Sequence, residues 1–161
     1  MDRRYAKIGD LNWVEHFSKL LNSLAEKEKD KNKLYFRWHD AGDIQSVDHL
    51  SKIVEIANNC PTIKFWIPTR EYAIVQEWHS IKGNHIPPNL TIRLSAHMVG
   101  KIIPPTKGIF KDLPNSCVVE KGSTSPNLGI SYCPSSQQMG KCLDCRNCWD
   151  SKIKTIAYLK H

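Results

Sequence analysis

Three short runs rich in aromatic and branched residues, Leu34–Trp38, Ile63–Ile67 and Leu90–Leu94, are separated by stretches with apolar residues at helical spacing. This alternation constrains the fold more than any other feature, because strands joined through helices pair in parallel through right-handed crossovers. Between the first two runs, Val47, Leu50, Ile53, Val54 and Ala57 form one apolar helical face. Ser46 is placed to cap that helix, and Asn58-Asn59-Cys60-Pro61 stops it. Between the second and third runs, Tyr72, Ile74, Val75 and Trp78 predict a helix from Glu71 to about Ile81. An earlier helix, from an Asp10 cap to about Lys29, carries Leu11, Val14, Phe17, Leu21 and Leu24.

The expected fold is therefore α/β, in one domain over residues 1–161: a βα sheet region at 10–130 and a cysteine-rich metal-binding segment at 131–161. At 161 residues the chain is far shorter than the roughly 250 of an eight-stranded barrel. A small or incomplete (βα) barrel is expected, with an open doubly wound sheet as the alternative. No G-x-G-x-x-G follows the first strand, so a dinucleotide loop is excluded there. Beyond residue 97 the pattern gives way to a stretch broken by Pro104, Pro105, Pro114 and Pro126, with one short candidate strand around Val118-Val119.

The loops His39–Asp43, Thr69–Glu71 and Ser95–His97 all follow strands and are expected to converge on one face of the sheet, where α/β folds bind ligands. His39, Asp40, Asp43, Arg70 and His97 are the candidate catalytic residues there. Plainer accounts stand beside that one. Asp43 closes the Gly42 turn, Arg70 braces a buried ion pair, and His97 is a satisfied hydrogen-bonding residue. His39 and Asp40 point to opposite sides of a strand end, which argues against a shared metal. Arg37 and Arg93 lie within strands and need a partner or a polar barrel interior.

Charge narrows the partners. With 23 Lys and Arg against 16 Asp and Glu, the net charge is +7, which suits a polyanion such as nucleic acid or simply a solvated basic surface. No apolar run approaches the roughly 18 residues that signal a membrane span. Met-Asp-Arg-Arg-Tyr at the start carries no hydrophobic leader, so a cytoplasmic location is expected.

In that compartment six cysteines do not read as a disulfide framework. Cys60 and Cys117 stand alone and are expected to be small buried hydrophobes. Cys133, Cys142, Cys145 and Cys148 have the spacing C-x8-C-x2-C-x2-C. A tight thiolate triplet with one distant cysteine, here followed by Pro134, is chemistry similar to ferredoxin cluster binding, with the order reversed. Structural zinc sites instead pair two knuckles a dozen or more residues apart. The spacing favours one [4Fe–4S] cluster with all four cysteines as ligands, with zinc as the alternative. Leu143 and Trp149 would shield such a cluster, and Lys141 and Arg146 would balance its charge.

The segments Phe36–Ser46, Phe65–Glu71, Asn89–Ala96 and Cys142–Trp149 together resemble the phage gene product 88 family, uncharacterised proteins encoded mainly by bacteriophages and plasmids. The resemblance covers roughly Leu34 to His161. It implies a phage origin and action in the host cytoplasm, and it supplies no activity. More distantly, a βα sheet followed by a cysteine-ligated cluster is similar to a trimmed radical S-adenosylmethionine barrel with an auxiliary cluster. That superfamily's C-x3-C-x2-C is missing from the first strand loop. Three functions fit these residues: an iron–sulfur protein in electron transfer or regulation with a redox partner, a nucleic-acid-binding protein with a structural metal, and an enzyme at the strand-end face.

Overall fold

The computed structural model describes residues 9–30, 33–39, 42–83, 85–101, 108–120, 122 and 130–160. The helices are α1 (Trp13–Lys27), α2 (Val47–Asn59) and α3 (Tyr72–Lys82). The strands are β1 (Tyr35–Arg37), β2 (Lys64–Thr69), β3 (Leu90–Ser95), β4 (Asn115–Val119), β5 (Ile130–Tyr132) and β6 (Thr155–Leu159). They form one six-stranded sheet in the order β1-β2-β3-β4-β6-β5, and β3–β4, β4–β6 and β5–β6 pair in parallel. The ascending run β1 to β4 has no reversal, the feature around which a doubly wound sheet is built. The strand order gives one α/β sheet, and among the described residues no pairing joins β1 to β5. No described helix is long and apolar enough to cross a membrane.

Two compact units divide the chain: residues 1–65 with 73–90, and 66–72 with 91–161. In the first, α2 starts where the capping residue predicts, with the Ser46 hydroxyl accepting from the His49 N–H at 3.1 Å. Its inward stripe is His49, Leu50, Ile53, Val54, Ile56 and Ala57. The far end of α2 is held by Asn89. Its side-chain amide is shared among the carbonyls of Ala57, Cys60 and Ile63, at 2.9, 3.0 and 2.9 Å, which answers the orphan acceptors of a helix C-terminus. Trp78 of α3 gives its indole N–H to Ser51 at 3.1 Å. Trp13, Phe17, Phe36, Trp38 and Phe65 pack as one aromatic cluster, with ring centroids 5.0–6.3 Å apart.

Asp10 does not cap α1. The cap position is Asn12, and the Asp10 carboxylate accepts from the Asn12 N–H at 2.9 Å, closing a turn one step earlier. Cys60 is buried, as expected of a small hydrophobe, and its thiol donates to the Ser18 carbonyl at 3.7 Å.

The second unit contains what sequence periodicity missed. Strand β4 is five residues, longer than the Val118-Val119 expected, and β6 falls inside the segment expected to be a cysteine-rich loop. β6 is flanked on both sides: Asn115 to Val119 pair with Thr155 to Leu159, and Ile130 to Tyr132 with Thr155 to Ala157. Its side chains alternate. Ala157 and Leu159 join Ala96, Cys117 and Val119 in one apolar cluster, while Ile156 and Tyr158 join Trp66 and Cys148 in another. The cysteine segment thus packs on the even-numbered face of β6.

Candidate metal centre

All four clustered cysteines lie on the connection between β5 and β6, and all are free thiols. Cys133 follows β5 directly, and its N–H continues the ladder to the Ala157 carbonyl at 2.8 Å. Its thiol donates to the Ser135 hydroxyl at 3.1 Å. A 3₁₀ turn over Pro134–Gln137 leads into Met139 and Gly140, both with positive φ, of 53° and 77°. Cys142 and Cys145 form the next turn, closed by the Cys145 N–H on the Cys142 carbonyl at 2.9 Å. Leu143 inside it has φ 45°, a left-handed conformation that non-glycine residues adopt at a cost. Arg146 braces the turn through the carbonyls of Leu143 and Cys145.

Cys148 sits in a second 3₁₀ turn, Asn147–Trp149, and is buried. Its sulfur lies 3.2 Å from the Tyr158 hydroxyl. The turn is fastened from several sides. Thr91 donates to the Trp149 carbonyl at 2.8 Å, Asn147 donates to the Ser131 hydroxyl at 3.1 Å, and the Trp149 ring meets Trp66 edge-on at 5.1 Å. The Arg93 guanidinium donates to the carbonyls of Asn115, Asn147, Asp150 and Ile153, at 2.9–3.3 Å. The polar barrel interior expected around Arg93 is replaced by this cage of carbonyls, whereas Arg37 is exposed.

Burial pushes the Cys148 thiol up to about 11; the Tyr158 hydrogen bond and the Arg93 charge pull against it, and Cys133 and Cys142 press it further up. Tyr158 is raised above the tyrosine range by burial first and by Cys148 second. Among the described residues, no group of three or more His, Cys, Asp or Glu is arranged to hold a metal ion. The donor chemistry suits a thiophilic metal, and the thiols are not drawn around one point.

The strand-end candidates separate by unit. His39 and Asp43 belong to the first. His39 lies two residues past β1 with φ 54°, its ring meets His49 edge-on at 5.4 Å, and its buried Nε2 has no hydrogen-bond partner among the described residues. Burial lowers its pKa against the pull of Asp43. Asp43 accepts from the N–H of its neighbour Ile44 at 2.8 Å. Asp40 lies outside the described residues. Arg70 and His97 belong to the second unit. Both are exposed, which removes the buried ion pair expected of Arg70, and His97 packs on the Tyr72 ring at 4.7 Å. Thr91, Tyr158 and Trp66, which shape the Cys148 turn, carried no signal in the sequence. Arg93 carried one: a lone charge in an apolar strand.

No curated protein and no solved structure matches the chain, so the likeness to radical S-adenosylmethionine enzymes gains no support. One family model does match, described as gene product 88, and it covers residues 1–151. With nearly the whole sequence inside that match, the chain belongs to the gene product 88 family.

Proposed function

We propose that this protein holds one [4Fe–4S] cluster through Cys133, Cys142, Cys145 and Cys148. The single observation behind the reading is the placement of four free thiols, in C-x8-C-x2-C-x2-C spacing, on one connection between two paired strands. When bound with every iron thiolate-ligated, such a cluster supplies one-electron transfer or redox sensing and offers no open position for substrate.

The chain's own residues divide the work. Cys148 is the anchored ligand, set in a turn fastened by Thr91, Asn147 and Arg93. Cys133 is held at the end of β5 by its backbone bond to β6. Cys142 and Cys145 ride on a turn that must close inward, which suits a ligand pair that orders when metal arrives. Trp149 and Tyr158 keep water from the buried side. Anaerobic purification with iron and acid-labile sulfide quantitation, followed by EPR of the reduced protein, tests the reading. Near four irons and four sulfides per chain is expected. Stoichiometric zinc without iron would end it, leaving a structural metal site.

A further inference from the structure

Arg93 is fully buried, at 0 % exposure, in the middle of β3. Among the described residues it makes no ion pair with Asp or Glu. Its hydrogen bonds go to four neutral backbone carbonyls, and its Nε has no partner among the described residues. Three of those carbonyls, Asn147, Asp150 and Ile153, come from one stretch of seven residues that brackets Cys148. Taking a guanidinium out of water is costly, and carbonyl dipoles offset only part of that cost. A cation so placed calls for an anion. Asp150 is exposed, and its carboxylate closes its own turn by accepting from the Lys152 N–H at 2.9 Å. Tyr158, Cys148 and Asp150 all act on the Arg93 charge, and Cys148 is the one cysteine inside the bracket.

Resting on the four-cysteine reading, we infer that Arg93 is the internal counter-cation of the metal centre: a positioning residue that clamps the Cys148 turn by its carbonyls and offsets the negative charge of the ligated thiolates. The guanidinium fork suits both tasks, since it presents five donors in fixed directions and never gives up its charge. Because each added electron makes the centre more negative, a fixed cation beside it favours the reduced state and raises the potential.

The test compares the 161-residue chain with Arg93→Met and Arg93→Lys, each reconstituted anaerobically with iron and sulfide. The readouts are metal per chain, midpoint potential in a dithionite titration, and hydrogen exchange over residues 147–153. Arg93→Met is expected to disfavour reduction by about tenfold or more, a fall of about 59 mV for one electron, and to speed exchange in the bracketed stretch. Arg93→Lys is expected to keep the potential while exchange still rises, because one ammonium cannot span four carbonyls. If Arg93→Met reduces at the wild-type potential, the counter-cation role is overturned and the four-cysteine reading stands. A wild-type chain that takes up no iron and sulfide overturns that reading and this inference together. Should Arg93→Met fail to fold, Arg93→Lys decides: a tenfold loss in the reduction equilibrium contradicts a role that needs only the charge.

Discussion

Helix α2 and the connection Cys133–Ile153 hold their shape by different physics. α2 is thirteen residues with six buried, a Ser46 cap at one end and Asn89 across the carbonyls at the other. The connection is longer, has only Cys148 buried, and relies on side-chain bonds to its backbone from Thr91, Arg93 and Arg146, with the Asn147 amide tied to the Ser131 hydroxyl. Apolar burial is insensitive to metal and redox state, whereas a polar connection with free thiols is completed by what it binds.

The sharpest way to break that contrast is to remove one of the four proposed ligands. Cys148→Ser is expected to abolish iron retention, read by metal analysis, while far-ultraviolet circular dichroism keeps its helical signal. Chelation of the wild-type chain is expected to raise proteolysis within residues 133–153 and to leave amide protection in α2 unchanged. Equal loss in both would erase the distinction. Within α2, Ile53→Ala is expected to cost about 2–5 kcal/mol in urea unfolding, because Ile53 is completely buried. Asn89→Ala, which strips a donor group from three carbonyls, is expected to cost about 1–3 kcal/mol by the same measurement.

Acid sharpens the comparison further. Burial lowers the His49 pKa from 6.5 to about 4, and His39 moves in the same direction. The unfolded chain takes its proton near pH 6.5 and the folded one refuses it until about 4. Stability is therefore intact above pH 6.5 and is lost as pH falls toward 4. A thermal melt series across that window is expected to show the loss, and His49→Gln to flatten it. The smallest effect is at the cap, where Ser46→Ala is expected to cost about 1 kcal/mol.

What was legible in the sequence follows from the same division. α2 could be read nearly to the residue, because its cap, apolar stripe and stop are all local signals. β1, β2 and β3 were legible from their aromatic and branched content, although β2 runs on through Pro68 to Thr69. Strand β6 was not, since Thr155–Leu159 is an ordinary apolar run whose role depends on pairing with β4 forty residues upstream. The cysteine spacing named four donors, and it carried no information about what surrounds them. Tyr158 and Thr91 reach Cys148 and Trp149 only through the sheet. Arg93 was conspicuous as a charge in an apolar strand, but its acceptors lie 22 to 60 positions away.

The position of β6 between β4 and β5 sets an order of events during synthesis. β4 and β5 leave the ribosome first, and neither has the neighbour that joins them until residues 155–159 emerge. Until then β5 has no ladder, and Cys133, whose amide bonds to β6, is untethered. All four thiols are translated before the strand that frames them. Those sulfurs therefore stay on an unframed string of chain until the strand that flanks them on the sheet has been made.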